Sequence, residues 1–168
     1  MTDLTRDWFV GFIEGEGNFN VALANMQNHK PKYPFEKMPV LQFRIFLRED
    51  DLEVLQKIKN FLGFGKIYKK SMEANRRLGF KSMDQYTFYV THSRDLLKLK
   101  EILSTNQFHT KKAKDMESFF KILDLKLAKK HLISEGYEEI LKLATNMNSK
   151  NRQNFKPGNN RKIYRNRD

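Results

Sequence analysis

The sequence predicts an α+β fold, a mostly antiparallel sheet with helices on one face. Three observations predict it. Asn18 to Met26, Pro39 to Leu47, Lys66 to Ser71 and Gln85 to Thr91 alternate with the period of two that strands show. Capped apolar stripes of helical spacing stand before, between and after them, giving the order α-β-β-α-β-β-α-α-α. Apolar residues make up 39% of 168, with 14 phenylalanines, which suits one core. Residues 1–147 therefore read as a single domain and 148–168 as a basic C-terminal tail.

The first helix is expected from Thr5 to Gly15. Trp8, Phe9, Val10, Phe12 and Ile13 are apolar on nearly every side, so it expects burial all round. Gly17 stands where a left-handed residue would end it. In the next strand Phe19, Val21 and Leu23 share a face. Gln27 to Met38, with Pro31 and Pro34, reads as a long polar loop. In Pro39 to Leu47, the core side takes Leu41, Phe43, Ile45 and Leu47. Asp50 is placed to cap a helix to Leu62, with Glu53 completing a capping box. Leu52, Leu55, Ile58 and Leu62 form its stripe. Gly63 and Gly65 then break the chain. A basic loop, Met72 to Asp84, joins the last two strands, the second with Tyr86, Phe88 and Val90 inward. Ser93 caps a helix to Leu103. Thr110 opens another, with Met116, Phe120, Leu123 and Leu127 on one side, and Ser134 opens the last, to Met147. The two early αββ units repeat in pattern.

The net charge of +12 points to a polyanionic partner, a nucleic acid or an anionic membrane surface. Half of it, +6, falls in Asn148 to Asp168, a stretch rich in Asn and poor in apolar residues. This tail is expected to run along phosphates, or to be a solvated end. The absence of cysteine excludes disulfide and thiolate–metal frameworks. No apolar run is long enough to span a bilayer, and Met1 to Asp7 lacks a signal-peptide pattern, so nothing points to secretion.

The sheet face away from the core is expected to show Asn18, Asn20, Gln42, Arg44, Lys66, Tyr68, Lys70, Gln85, Thr87 and Tyr89. Arg, Lys, Asn and Gln hydrogen-bond base edges, and a β-ribbon enters the major groove. An ordinary solvated face usually mixes in acids, and these ten positions have none. A membrane surface fits poorly, because the face offers Asn and Gln rather than Trp and Leu.

Chemistry concentrates in Gly11-Phe12-Ile13-Glu14-Gly15-Glu16-Gly17. Carboxylates in the last turn oppose the helix dipole, at about 0.3–1 kcal/mol each. Two acids there need an outside cation or a basic partner. Gly11 and Gly15 lie one turn apart and give up about 1 kcal/mol of helix propensity each. Small residues at that spacing let a second helix backbone approach closely. A matching helix on a second subunit would bring two acids together, where metal ions between them would relieve repulsion. A Gly-rich helix stop with incidental acids is the plainer reading.

Phe9 to Gly17 resembles the nine-residue signature of LAGLIDADG homing endonucleases, with both acids and the three glycines in register. The likeness extends through the αββαββα order, from about Thr5 to Met147. It implies a saddle-like antiparallel sheet and, with one motif in a short chain, a homodimer packed through Gly11, Phe12 and Gly15. It implies Mg²⁺ or another divalent cation at Glu16, helped by the Gly15 carbonyl, with Glu14 structural. Lys112, beside Lys111, matches a basic residue near the scissile phosphate. The implied activity is metal-dependent hydrolysis of both strands of double-stranded DNA at a long near-palindromic site, leaving 3′ overhangs and serving intron homing. The implied location is intracellular, wherever the target DNA lies. Where many members have a solvent-positioning Gln, this chain has Leu47 and then Arg48, a candidate phosphate contact.

The alternative on the same fold is an RNA-splicing maturase or a non-cleaving DNA-binding protein. Asp124-Leu125-Lys126 resembles part of a restriction-type acid/lysine motif but is expected on a helix, not a strand. His29, His92, His109 and His131 lack metal-ligand spacing.

Overall fold

A computed structural model describes residues 4–26, 33–104 and 108–147. Within them the expected order appears, with one addition. Helix α1 (Arg6–Glu16) leads into β1 (Gly17–Asn25) and β2 (Lys37–Arg48). Helix α2 (Leu52–Leu62), β3 (Lys66–Lys70), a short α3 (Glu73–Arg77) and β4 (Gln85–Val90) follow. Helices α4 (Ser93–Leu103), α5 (Lys112–Leu127) and α6 (Ser134–Asn146) complete it. The strands form one sheet in the order β1-β2-β4-β3. β4 pairs antiparallel with both β2 and β3. The fold class is the one expected.

The described residues divide into two compact units, those within 1–20 and 42–113 and those within 21–41 and 114–147. In the first, Phe19, Phe43, Ile45, Phe88 and Val90 point inward from the strands and are buried. Phe9, Ile13, Leu55, Ile58, Leu96 and Leu99 supply its buried helical residues. Phe19 and Phe43 meet across the sheet with ring centroids 5.2 Å apart, and Phe9 meets Phe61 at 5.5 Å. In the second unit, α5 and α6 bury Phe119, Ile122, Leu123, Ile140 and Ala144. Tyr137 donates to the Lys37 carbonyl at 2.7 Å and stacks on Phe35 at 4.1 Å.

Local chemistry explains several departures from expectation. Thr5 caps α1 and accepts from the Trp8 amide at 3.3 Å. Gly17 ends that helix in extended conformation, not left-handed. Its glycine has another cause: a Cβ there would lie 2.1 Å from Ile13 Cγ2 and 2.7 Å from the Ile13 carbonyl. The capping box at Asp50 does not form. A 3-10 turn, Glu49–Asp51, intervenes, Asp50 pairs with Arg48 at 2.7 Å, and Glu53 pairs with Lys57 at 2.8 Å. Ser93 and Ser134 begin their helices, but His92 and Ile133 hold the cap positions. In α5 the buried residues are Phe119, Phe120, Ile122, Leu123 and Leu125, while Leu127 is exposed. Tyr33 is buried although it lies in the expected polar loop. Residues 27–32, with His29, and the tail 148–168 lie outside the described residues.

The basic loop from Met72 to Asp84 is built around one carboxylate. Asp84 is 6% exposed and accepts from the Met72 amide at 2.9 Å and Arg76 Nη1 at 2.7 Å. Lys69 Nζ lies 2.9 Å from its other oxygen. The Met72 amide, then Lys69 and Arg76, hold its pKa well below the usual carboxylate range. Nothing in the run of basic residues marked Asp84 as their common partner.

Candidate active site and nucleic-acid interface

The acidic end of α1 and the first turn of α5 lock together. Glu14 Oε1 accepts from the backbone amides of His109 and Thr110, the latter at 2.7 Å. Desolvation works against the charged carboxylate, but the Thr110 and His109 amides outweigh it and lower its pKa. Thr110 Oγ1 accepts from the Lys112 amide at 3.3 Å. Lys112 then reaches back, its Nζ donating to the carbonyls of Ile13 at 3.0 Å and Gly15 at 2.8 Å.

This geometry answers two difficulties in the sequence. The acids at the end of α1 needed a basic partner, and Lys112 places its ammonium on the carbonyls of that end. A lysine in a helix's own first turn is disfavoured, but at another helix's C-terminus its charge is favoured. Glu14 takes the structural position expected of it, bonded to the segment that begins α5. Glu16 is exposed at the tip of α1, next to the Gly15 carbonyl.

Glu16 and Gly15 offer one carboxylate and one carbonyl oxygen. These are hard donors of the kind Mg²⁺ takes, and Mg²⁺ commonly keeps waters and substrate phosphates as its other ligands. The donor set therefore fits a divalent cation. Among the described residues no three His, Asp or Glu side chains cluster as a metal cage.

Three cross-strand rows make up the rest of the candidate surface. The register sets Arg44 opposite Tyr89 and Tyr89 opposite Lys66. It sets Phe46, Thr87 and Tyr68 in the next row, and Arg48, Gln85 and Lys70 in the third. On β1, Asn18 Oδ1 accepts from Arg44 Nη2 at 3.1 Å, and Asn20 Nδ2 donates to Gln42 at 3.5 Å. Arg44 also lies over the Phe46 ring, 5.3 Å from its centroid. Burial lowers the pKa of its guanidinium, with the Tyr89 phenol working in the other direction. Tyr68 and Tyr89 meet edge to face at 5.5 Å.

The register also separates these side chains. Thr87 is 6% exposed, because it stands on a central strand between the large side chains of Phe46 and Tyr68. It belongs to the face by parity but is buried within it. Phe46 is 46% exposed in the middle row and was not among the candidate contacts. Its alternation onto the side of Gln42 and Arg44, away from Phe43 and Ile45, was the signal available in the sequence. Arg48 is paired to Asp50, and Leu47 lies on the core side, half-buried. Asp124 and Lys126 do fall on a helix, and Lys126 donates to the Pro39 carbonyl.

Known proteins share this arrangement of helices and sheet. The LAGLIDADG endonuclease family model matches residues 9–123. The homing endonuclease I-TnaI superposes with a TM-score of 0.77 at 29% identity, over 90% of this chain and 93% of that one. I-LtrWI, a LAGLIDADG homing endonuclease bound to target DNA, superposes with a TM-score of 0.75 at 27% identity, over 89% of this chain and 46% of that one. In Neurospora crassa, "Probable intron-encoded endonuclease 3" is 30% identical over 139 residues, 82% of this chain and 24% of the relative. A second such relative, number 4, is 28% identical over 119 residues and is matched over 18% of its length. The chain thus spans about a quarter or less of these two relatives. By fold and motif it belongs to the LAGLIDADG endonuclease family.

Proposed function

We propose that this chain is a site-specific DNA endonuclease that cuts both strands of a duplex, acts as a homodimer and requires Mg²⁺ or a similar cation. The observation that carries the reading is the exposed Glu16 carboxylate at the end of the motif helix, with Lys112 bound to the adjoining Gly15 carbonyl. Glu16 and Gly15 would hold the cation, which supplies Lewis-acid activation of the phosphodiester and of water. Lys112 would place its positive charge at the scissile phosphate, where negative charge develops.

The outward side chains of Asn18, Asn20, Gln42, Arg44, Lys66, Tyr68, Lys70, Gln85 and Tyr89 would contact bases and phosphates, with Thr87 behind them. Arg48 would contact phosphate only by exchanging its Asp50 partner. Two copies related by a two-fold axis would meet the same half-site twice, which predicts a near-palindromic target cut once on each strand, and the family likeness implies 3′ overhangs. The face of α1 that would meet its copy carries Gly11 and Gly15, where an added Cβ would find nothing within 4 Å. Trp8 and Phe12 stack beside them at 4.8 Å. The relatives' intron-encoded origin supports a homing role wherever the target DNA lies. No helix among the described residues is long and apolar enough to cross a membrane.

The test is selection of cleaved sites from a random duplex library, in Mg²⁺, in Ca²⁺ and in chelator. The expected result is one enriched near-palindrome, cut in Mg²⁺ alone. Glu16→Gln should abolish cutting, by about 1,000-fold or more, while binding to the selected duplex survives. Normal cutting by that variant would overturn the assignment of Glu16.

A further inference from the structure

We infer that Lys112 is a gate on the Gly15 carbonyl, occupying that oxygen until a divalent cation displaces it. The inference rests on the metal reading of Glu16 and Gly15 given above. Its starting point is geometric: Lys112 Nζ lies 2.8 Å from the Gly15 oxygen and 3.0 Å from the Ile13 oxygen. A carbonyl oxygen has two lone pairs, so an ammonium and a metal ion can both approach it. Two cations on one oxygen are nonetheless close like charges, and they repel at a site only partly screened by water. The stronger cation therefore drives the weaker one off.

The fold favours this exchange in both directions. Without a metal, the last carbonyls of α1, that of Gly15 among them, lie beyond the helix's own bonds, while that of Ile13 already accepts from the Gly17 amide, and the adjacent Glu16 adds negative charge to that end. Lys112 satisfies the Gly15 carbonyl, adds a second bond to that of Ile13 and supplies the missing positive charge. It is held within reach because Glu14 binds the His109 and Thr110 amides just ahead of it. Once released, the flexible four-carbon stem lets the ammonium swing while its backbone stays anchored at the start of α5. Metal arrival and delivery of the lysine to a phosphate then become one coupled event. A chain without metal keeps the Lys112 ammonium on the carbonyls that end α1.

The test is Mn²⁺ binding to the full chain without DNA, followed by electron paramagnetic resonance, together with exchange of the Lys112 ammonium protons by nitrogen-15 NMR. Lys112→Met should bind Mn²⁺ at least about tenfold more tightly than the parent, since its competitor is gone. The gain should vanish in the Lys112→Met, Glu16→Gln double variant. In the parent chain, Mg²⁺ should speed exchange of the Lys112 ammonium protons, a readout that needs no variant to fold. Equal or weaker Mn²⁺ binding by Lys112→Met, or no binding by either chain, would overturn the gate. Ammonium exchange indifferent to Mg²⁺ would overturn it as well. Tight Mn²⁺ binding that ignores Glu16→Gln would overturn the metal reading itself, and the gate with it.

Discussion

Glu14 and Glu16 are two residues apart and chemically alike, yet their surroundings divide them. Glu14 is turned onto two backbone amides and Glu16 is left exposed. A carboxylate that accepts amides is worth more to the fold charged than neutral. Its folded pKa lies below the ordinary 4.5, so its contribution is present above that pH. It is lost as pH falls through the lowered value. Glu14→Gln keeps the shape but weakens both amide bonds. We expect its acid unfolding curve to be flatter than the parent's below pH 4.5, and its cutting rate to fall on the order of 100-fold as Lys112 loses its placement. Binding to the selected duplex should change little. An unchanged rate would mean that Glu14 does not position Lys112. The sequence offered both acids and, through the family likeness, Lys112 as candidates. It did not reveal that Lys112 bridges back to the helix bearing the acids, because the two segments lie 97 residues apart.

Element boundaries follow local rules where side chains compete only with their own backbone. Among the described residues, the period-two and helical patterns located every strand and five of the six helices to within a few residues. The short α3 escaped because Glu73–Arg77 carries no apolar stripe, and its order comes from Asp84 beyond it. The capping box failed for a related reason, since Arg48 and Lys57 draw Asp50 and Glu53 into ion pairs. Asp84 carries the clearest prediction at this scale. Asp84→Asn leaves Lys69 and Arg76 without their shared charge, so amides across residues 71–84 should exchange with solvent faster while α2 and α4 keep their protection. Since the folded pKa of Asp84 is lowered, the parent hairpin should be fully held above the ordinary value of 3.8 and loosen as pH falls below it. Uniform loosening of the whole chain would show instead that Asp84 supports the entire fold.

At the scale of the molecule, α1 is buried on one side only. Phe9, Val10 and Ile13 enter the core, while Trp8 remains 46% exposed and Gly11 and Gly15 are open. The expectation of burial all round is met within one chain by half of the helix. A second copy would supply the rest. Gly11→Leu should fold as the parent does, because nothing lies within 4 Å of the new side chain's first atom. In sedimentation it should weaken dimerisation at least about tenfold. A parent chain that sediments as a monomer at all concentrations would overturn the dimer. Removal of residues 148–168 takes away seven basic side chains. It should weaken DNA binding at moderate salt and flatten its logarithmic salt dependence by up to about 6. An unchanged slope would mean the tail makes no phosphate contacts.

Periodicity and one motif are local properties, and they were enough for the sequence by itself to determine the α+β order, the polar strand face and the family likeness. Register, pairing and long-range hydrogen bonds depend on which distant segments share space, and only the tertiary structure decided them. It placed Thr87 beneath Phe46 and Tyr68, tied Arg48 to Asp50, and brought Lys112 onto the Gly15 carbonyl. A side chain's chemistry can be read from its letter, but its partner is set by where the chain returns.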